Sequence, residues 1–206
     1  MTPTIIDGKE SKLWWNAGDK GTRKRKSNEP IKSVVWHWTA GEGDASRIYN
    51  VLKNHKDRKT GKPSPLSIHF TIDAKGIITQ HCDPVTTIAS HASVMNANAI
   101  GVEIANVATT GKNNPNGRLP RDCVIRGQKG KFFDFLPAQY DAIFYLASYL
   151  NAMYGIQKEV LKETRQYDLS FLKTYNGHME HLHCHKNKPD SGGFVMDFLA
   201  KHWDLI

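Results

Sequence analysis

Read from Gly177, the stretch GHMEHLHCHKNKPDSGG puts four histidines, one cysteine and one aspartate between His178 and Asp190. Imidazole, thiolate and carboxylate are the donors that a zinc ion takes. A catalytic zinc needs three protein ligands and a fourth position left for water. Packing alone does not call for so many ligating side chains in so short a run, although a polar surface loop is the competing account. The stretch by itself does not say which residues bind. Further side chains able to do chemistry lie upstream, in or beside apolar runs: His37 in VVWHWTAG, His69 in SIHF, His91 in SHA and Glu103 in AIGVEIAN.

The elements that must position these side chains follow from periodicity. Ile31 to Trp38 alternates as a buried strand, with Val35, His37 and Thr39 on one side and Val34, Trp36 and Trp38 on the other. His37 therefore stands at a strand end. Asp44 can cap a helix through about His55 that buries Ile48, Val51, Leu52 and His55. Ser67 to Ile72 and Ile77 to Cys82 read as hairpin partners around Asp73-Ala74-Lys75-Gly76. In Ala99 to Asn106, Ile100, Val102 and Ile104 face one way and Glu103 the other. Residues 107–134, dense in Gly, Asn, Pro, Lys and Arg, read as a long loop. A helix is expected from Pro137 to about Tyr154, stopped by Gly155, and a closing helix from Phe194 to about Trp203. Residues 1–30 are expected as an extended arm packed on the domain through Leu13-Trp14-Trp15, and residues 31–206 as the main domain. The fold class expected from these elements is α/β, a single domain.

The balance of 28 Lys and Arg against 20 Asp and Glu gives a formal charge of +8, which calls for an anionic partner. Nucleic acid is not expected, because the basic run Arg23 to Lys26 has no binding motif around it. No apolar run is long enough to span a membrane, and the N-terminus has no apolar signal segment. Three cysteines, an odd number, argue against a disulfide framework.

Three blocks in order, VVWHWTAG, then SIHFTIDAKGIITQ with SHA and AIGVEIAN, then GH…KPDSGG, resemble the type 2 N-acetylmuramoyl-L-alanine amidases, zinc enzymes related to the peptidoglycan recognition proteins. The resemblance covers roughly residues 31–200, and it implies that residues 31–206 form a catalytic domain with a central mixed sheet flanked by helices. It implies one Zn2+ per chain held by His37, by a histidine after glycine (His178) and by Asp190 of a Lys-x-Asp pattern. It departs from the family in Ser191, which stands where proline is usual. The twelve residues from His178 to Asp190 also exceed the usual interval, so His181, nine before Asp190, stays open as the second histidine.

The resemblance also implies Glu103 as catalytic base and Lys188 as oxyanion partner. His91 becomes a substrate-side histidine, with His69 beside it either at the substrate or supporting the sheet. The activity implied is hydrolysis of the amide between the lactyl group of N-acetylmuramic acid and L-alanine in peptidoglycan. The protein expected is a monomeric phage or prophage endolysin, made in the cytoplasm and acting on the wall after release. A recycling amidase and a non-catalytic peptidoglycan-binding module are the alternatives.

Overall fold

The computed structural model describes residues 3–204. Its main sheet has six strands: β1 (Ile5–Asp7), β3 (Ser33–Trp38), β4 (Phe70–Ile72), β5 (Ile78–Gln80), β7 (Ala99–Ile104) and β10 (Gly177–Glu180). Their order is β1-β5-β4-β7-β3-β10. The four from β4 to β10 are parallel, β5 returns antiparallel to β4, and β1 runs parallel to β5. Two small ribbons stand outside it, β2 (Thr22–Lys24) with β6 (Thr87–Ala89), and β8 (Pro120–Ile125) with β9 (Gln128–Phe133). The helices are α1 (Ala45–Lys53), α2 (Pro137–Tyr154), α3 (Leu169–Thr174), α4 (His181–Cys184) and α5 (Phe194–His202), with one short 3-10 turn at Ser93–Met95.

This is a mixed central sheet with helices on both faces. The side chains that alternate to one face, Val34, Trp36, Trp38, Ile100, Val102 and Ile104, are buried with the apolar side of α2 (Ile143, Leu146, Leu150) and of α5 (Phe194, Val195, Leu199) in one core. The opposite face is covered only in part. Val35, Ala99 and Met179 pack with Met95, Leu172 and Cys184, and Trp15, Tyr49 and Ile68 make a third cluster. His37 and Glu103 lie near the carboxyl ends of the parallel strands β3 and β7, where ligands bind in open α/β sheets.

The local reasons match the residue types. Asp44 caps α1 by accepting from Arg47 N, and Gly155 ends α2 in the left-handed conformation. Gln139 accepts from Leu136 N at the start of α2. Two expectations change. Helix α1 buries Ile48 and Tyr49, while Val51 is exposed, so its inner face is turned from the one expected. Residues 107–134 are not one loop: the segment from Pro120 to Phe133 is a hairpin, closed by Arg126 and Gly127, both at positive φ. The lysines and glycines diluted its strand signal, yet Val124-Ile125 and Phe132-Phe133 flank a two-residue Arg-Gly turn.

Candidate metal centre and active site

Strand register brings the site together. His37 pairs with Glu103 across β3 and β7, and Glu103 with Thr71 across β7 and β4, so these side chains share one row and one face. Glu180 pairs with Trp36, which carries His181, the next residue, into line with His37. The chain then turns through α4 and comes back at Asp190, whose carbonyl accepts from Leu182 N.

Three donor atoms converge there. His37 Nδ1 lies 2.9 Å from His181 Nδ1, His181 Nδ1 3.0 Å from Asp190 Oδ2, and His37 Nδ1 3.4 Å from the same oxygen. Donors held ~2.0–2.1 Å from a tetrahedral ion stand about 3.3 Å apart, so this triangle is of the size that zinc requires. Two imidazoles and a carboxylate also suit zinc chemically.

His178 lies elsewhere, which corrects the expectation that it is the second histidine. It pairs with Val34, on the core face of the sheet. Trp36 Nε1 donates to its Nδ1 at 3.2 Å, and its Nε2 lies 2.7 Å from the side-chain amide of Asn151. Both ring nitrogens are thereby used. His181, the alternative with the shorter interval, is the histidine that meets His37 and Asp190. In the register of β10, His178 falls on the side of Glu180, away from His37. The remaining ligand types of the stretch are used otherwise. His183 Nδ1 accepts from Glu180 N, Cys184 packs against Met179, and His185 is exposed.

His91 sits behind His37, with its Nδ1 3.1 Å from His37 Nε2. With His37 Nδ1 turned to an ion, Nε2–H donates to His91 and fixes the ring, the usual outer partner of a ligating histidine. His69 is fully buried; its Nδ1 accepts from Gly101 N and its Nε2 donates to Thr87 O. It therefore supports the sheet and does not reach substrate, the second of the two roles open to it.

The electrostatics follow from burial and from neighbours. Burial and the facing His181 lower His37 to about 4, so it is a neutral imidazole at neutral pH. Burial pushes the Asp190 carboxyl up, but hydrogen bonds from His181 and His37 outweigh it and hold it well below the usual carboxylate range. Burial raises Glu103 to about 8, with the Asp190 charge adding and Lys188 opposing. Glu103 therefore feels both Asp190 and Lys188. Lys188 itself is exposed at the rim.

The model of the N-acetylmuramoyl-L-alanine amidase family matches residues 27–192. The chain belongs to this family. Among solved structures, the chain resembles the N-acetylmuramoyl-L-alanine amidase LysC of Clostridium intestinale URNW, at 18% identity, covering 98% of this chain and 99% of that one, with a TM-score of 0.57. It resembles the endolysin LysCS of the same organism at 18% identity, 99% and 97% coverage and a TM-score of 0.56. It also resembles human PGRP-IBETAC, solved with glycosamyl muramyl pentapeptide, at 13% identity, 96% and 95% coverage and a TM-score of 0.56. A search of curated proteins gave no match. At these identities the structures establish a common fold, one shared by amidases and peptidoglycan recognition proteins.

Sequence reasoning missed two residues that shape the amidase's site. Glu180, fully buried, and Arg126, at the hairpin tip, bind the backbone of the segment that carries His181 and Asp190. A lone charge inside an apolar strand and an Arg-Gly turn were the signals they offered.

Proposed function

We propose that this amidase is a zinc enzyme that hydrolyses the amide between the lactyl group of N-acetylmuramic acid and L-alanine in peptidoglycan. The observation that carries this is the triangle of His37 Nδ1, His181 Nδ1 and Asp190 Oδ2, with Glu103 in register beside it. A bound zinc would acidify a water molecule and polarise the scissile carbonyl. Glu103 takes the proton of the attacking water at a carboxylate oxygen and returns it to the departing L-alanine nitrogen. A cation held by the triangle opposes the burial that raises Glu103, which brings its carboxylate into the range of a base at neutral pH. Lys188, at the rim, faces the charge that develops on the carbonyl oxygen. His91 orients His37.

A peptidoglycan binder of the same fold has no use for a base beside three convergent donors, which favours the hydrolase. The basic surface, +8 overall, suits an anionic polymer such as cell wall more than a small neutral fragment. The likeness to an endolysin and this charge support a lysin that acts as a monomer on the wall from outside the cytoplasm. The test incubates the zinc-loaded protein with purified sacculi. New L-alanine amino termini without new reducing sugars are expected, with a loss of about 100- to 10,000-fold in Glu103→Gln at unchanged zinc content. Retention on sacculi without new amino termini would make the protein a binder.

A further inference from the structure

The segment from His181 to Gly193 has to hold two metal-ligand candidates nine residues apart, and its middle, residues 185–188, is exposed. Two buried or half-buried charges grip its backbone from opposite sides. From the inside, the carboxylate of Glu180 accepts four backbone N–H groups. Oε2 takes Ser191 N at 3.1 Å and Gly193 N at 2.6 Å, and Oε1 takes Val195 N at 2.9 Å and Met196 N at 3.3 Å. Those bonds fasten the residues just after Asp190 and the first turn of α5, whose own cap residue, Gly193, has no side chain to do so. From the outside, Arg126 Nη2 donates to the carbonyls of Leu182 at 2.6 Å, His185 at 3.0 Å and Lys188 at 3.0 Å. These three carbonyls span the segment between the ligands. Arg126 is itself anchored, since its N–H donates to Thr164 O at 2.9 Å.

Arg126 belongs to the β8–β9 hairpin, which gives few side chains to the core. Its guanidinium makes no ion pair among the described residues; its contacts are backbone carbonyls of the ligand segment. A surface hairpin with one half-buried arm aimed at three carbonyls spaced along residues 182–188 is poorly explained by fold stability. It is well explained by a need to keep that segment in one shape.

We propose that Arg126 is a positioning residue for the metal centre: with Glu180 opposing it, it holds the 181–190 segment so that His181 Nδ1 and Asp190 Oδ2 stand at ligand distance before the ion arrives. The proposal rests on the zinc reading above. It makes the hairpin part of the catalytic apparatus although no hairpin side chain belongs to the donor triangle. Removing Arg126 lets the segment relax, and zinc must then order it at the cost of affinity.

The test uses the full chain and three variants, Arg126→Met, which keeps the apolar stem, Arg126→Lys, which keeps a charged donor, and Glu180→Gln. Three quantities are measured: zinc affinity by competition with a chromophoric chelator, the visible absorption of the cobalt-substituted protein, and the urea midpoint of the metal-free protein. Arg126→Met is expected to weaken zinc by about 10- to 100-fold, the scale of lost outer partners, and to shift the cobalt bands, with little change in the metal-free midpoint. Arg126→Lys recovers most of the affinity, and Glu180→Gln, if folded, shows the same loss from the other side. Arg126→Met with zinc affinity within about two-fold of the original and unchanged cobalt bands overturns the proposal and leaves the zinc enzyme standing. A lowered metal-free midpoint with unchanged cobalt bands overturns it too, since Arg126 would then serve stability alone. An unmutated chain that binds no zinc overturns the zinc reading itself, and this proposal with it.

Discussion

Replacing His178 and His181 separately by alanine should separate stability from metal binding, in the opposite sense to what the Gly-His motif suggests. The His178 ring fills a fully buried site between Trp36 and Trp203 and uses both nitrogens, one with Trp36 and one with Asn151. His178→Ala opens a cavity there and leaves the Trp36 N–H without a partner. A large-to-small core change plus one orphaned polar group costs about 3–5 kcal/mol. At a urea slope of about 2 kcal/mol per molar, the midpoint falls by roughly 2 M. Zinc affinity of the chain that remains folded should stay near the original, because His178 faces away from the donor triangle. His181→Ala removes one of three converging donors. Zinc should weaken by more than about 100-fold, beyond the effect of an outer partner, while the metal-free midpoint moves by under about 0.5 M. Chelator competition and urea unfolding followed by tryptophan fluorescence, both on metal-free protein, give the two numbers. If His178→Ala loses zinc as severely as His181→Ala at an unchanged midpoint, the placement of these two histidines on opposite faces of β10 is wrong.

Acid should destabilise the metal-free protein. Burial lowers His69 to about 3, His81 to about 4, and His178 and His183 to about 3, and it lowers His37 to about 4 and His91 well below its ordinary value as well. Below about pH 6.5 the unfolded chain binds these protons and the folded chain does not, so stability rises with pH by up to about 1.4 kcal/mol per unit for each histidine. Glu103 and Glu180, raised by burial to about 8 and about 7, work the other way above pH 4.5. The six lowered histidines outnumber the two raised glutamates, so stability rises with pH between pH 4.5 and 6.5. A urea midpoint that stays level from pH 7 to 5 would contradict this. Gly101→Ala should disturb the site through His91: an added Cβ would meet Ile68 Cδ1 at 2.5 Å and His91 Cγ at 2.6 Å. Overpacking of this kind costs about 1–3 kcal/mol, and displacing His91 from His37 should weaken zinc about ten-fold. Zinc titration and urea unfolding of the variant check both, and wild-type values for the two would remove His91 from its role.

Most of what the sequence made legible came from alternation in the apolar strands. Val34, Trp36 and Trp38 against Val35 and His37, and Ile100, Val102 and Ile104 against Glu103, predicted which side chains face the site, because a strand buried on both faces still alternates. Helix α2 was legible to its ends through Pro137 and Gly155. The second histidine was not, because the motif glycine pointed to His178 while β10 is too short to announce its own alternation. The roles of Arg126 and Glu180 were hidden for a different reason. Both act on backbone atoms, and backbone partners leave no pattern in side-chain types. His91 was legible as a site residue but not on its side of the site, since only the packing against Gly101 sets it behind His37.

The donor triangle holds nitrogen and oxygen only, although the chain carries three cysteines. Cys82 and Cys184 are buried, Cys123 is partly covered, and burial raises all three thiols above their ordinary range. Peroxide attacks thiolates, and none stands at the cluster or is readily formed anywhere in the fold. A metal site with a cysteine ligand can be emptied when that sulfur is oxidised. A zinc held by this triangle, as proposed above, would have no sulfur ligand to lose to oxidation.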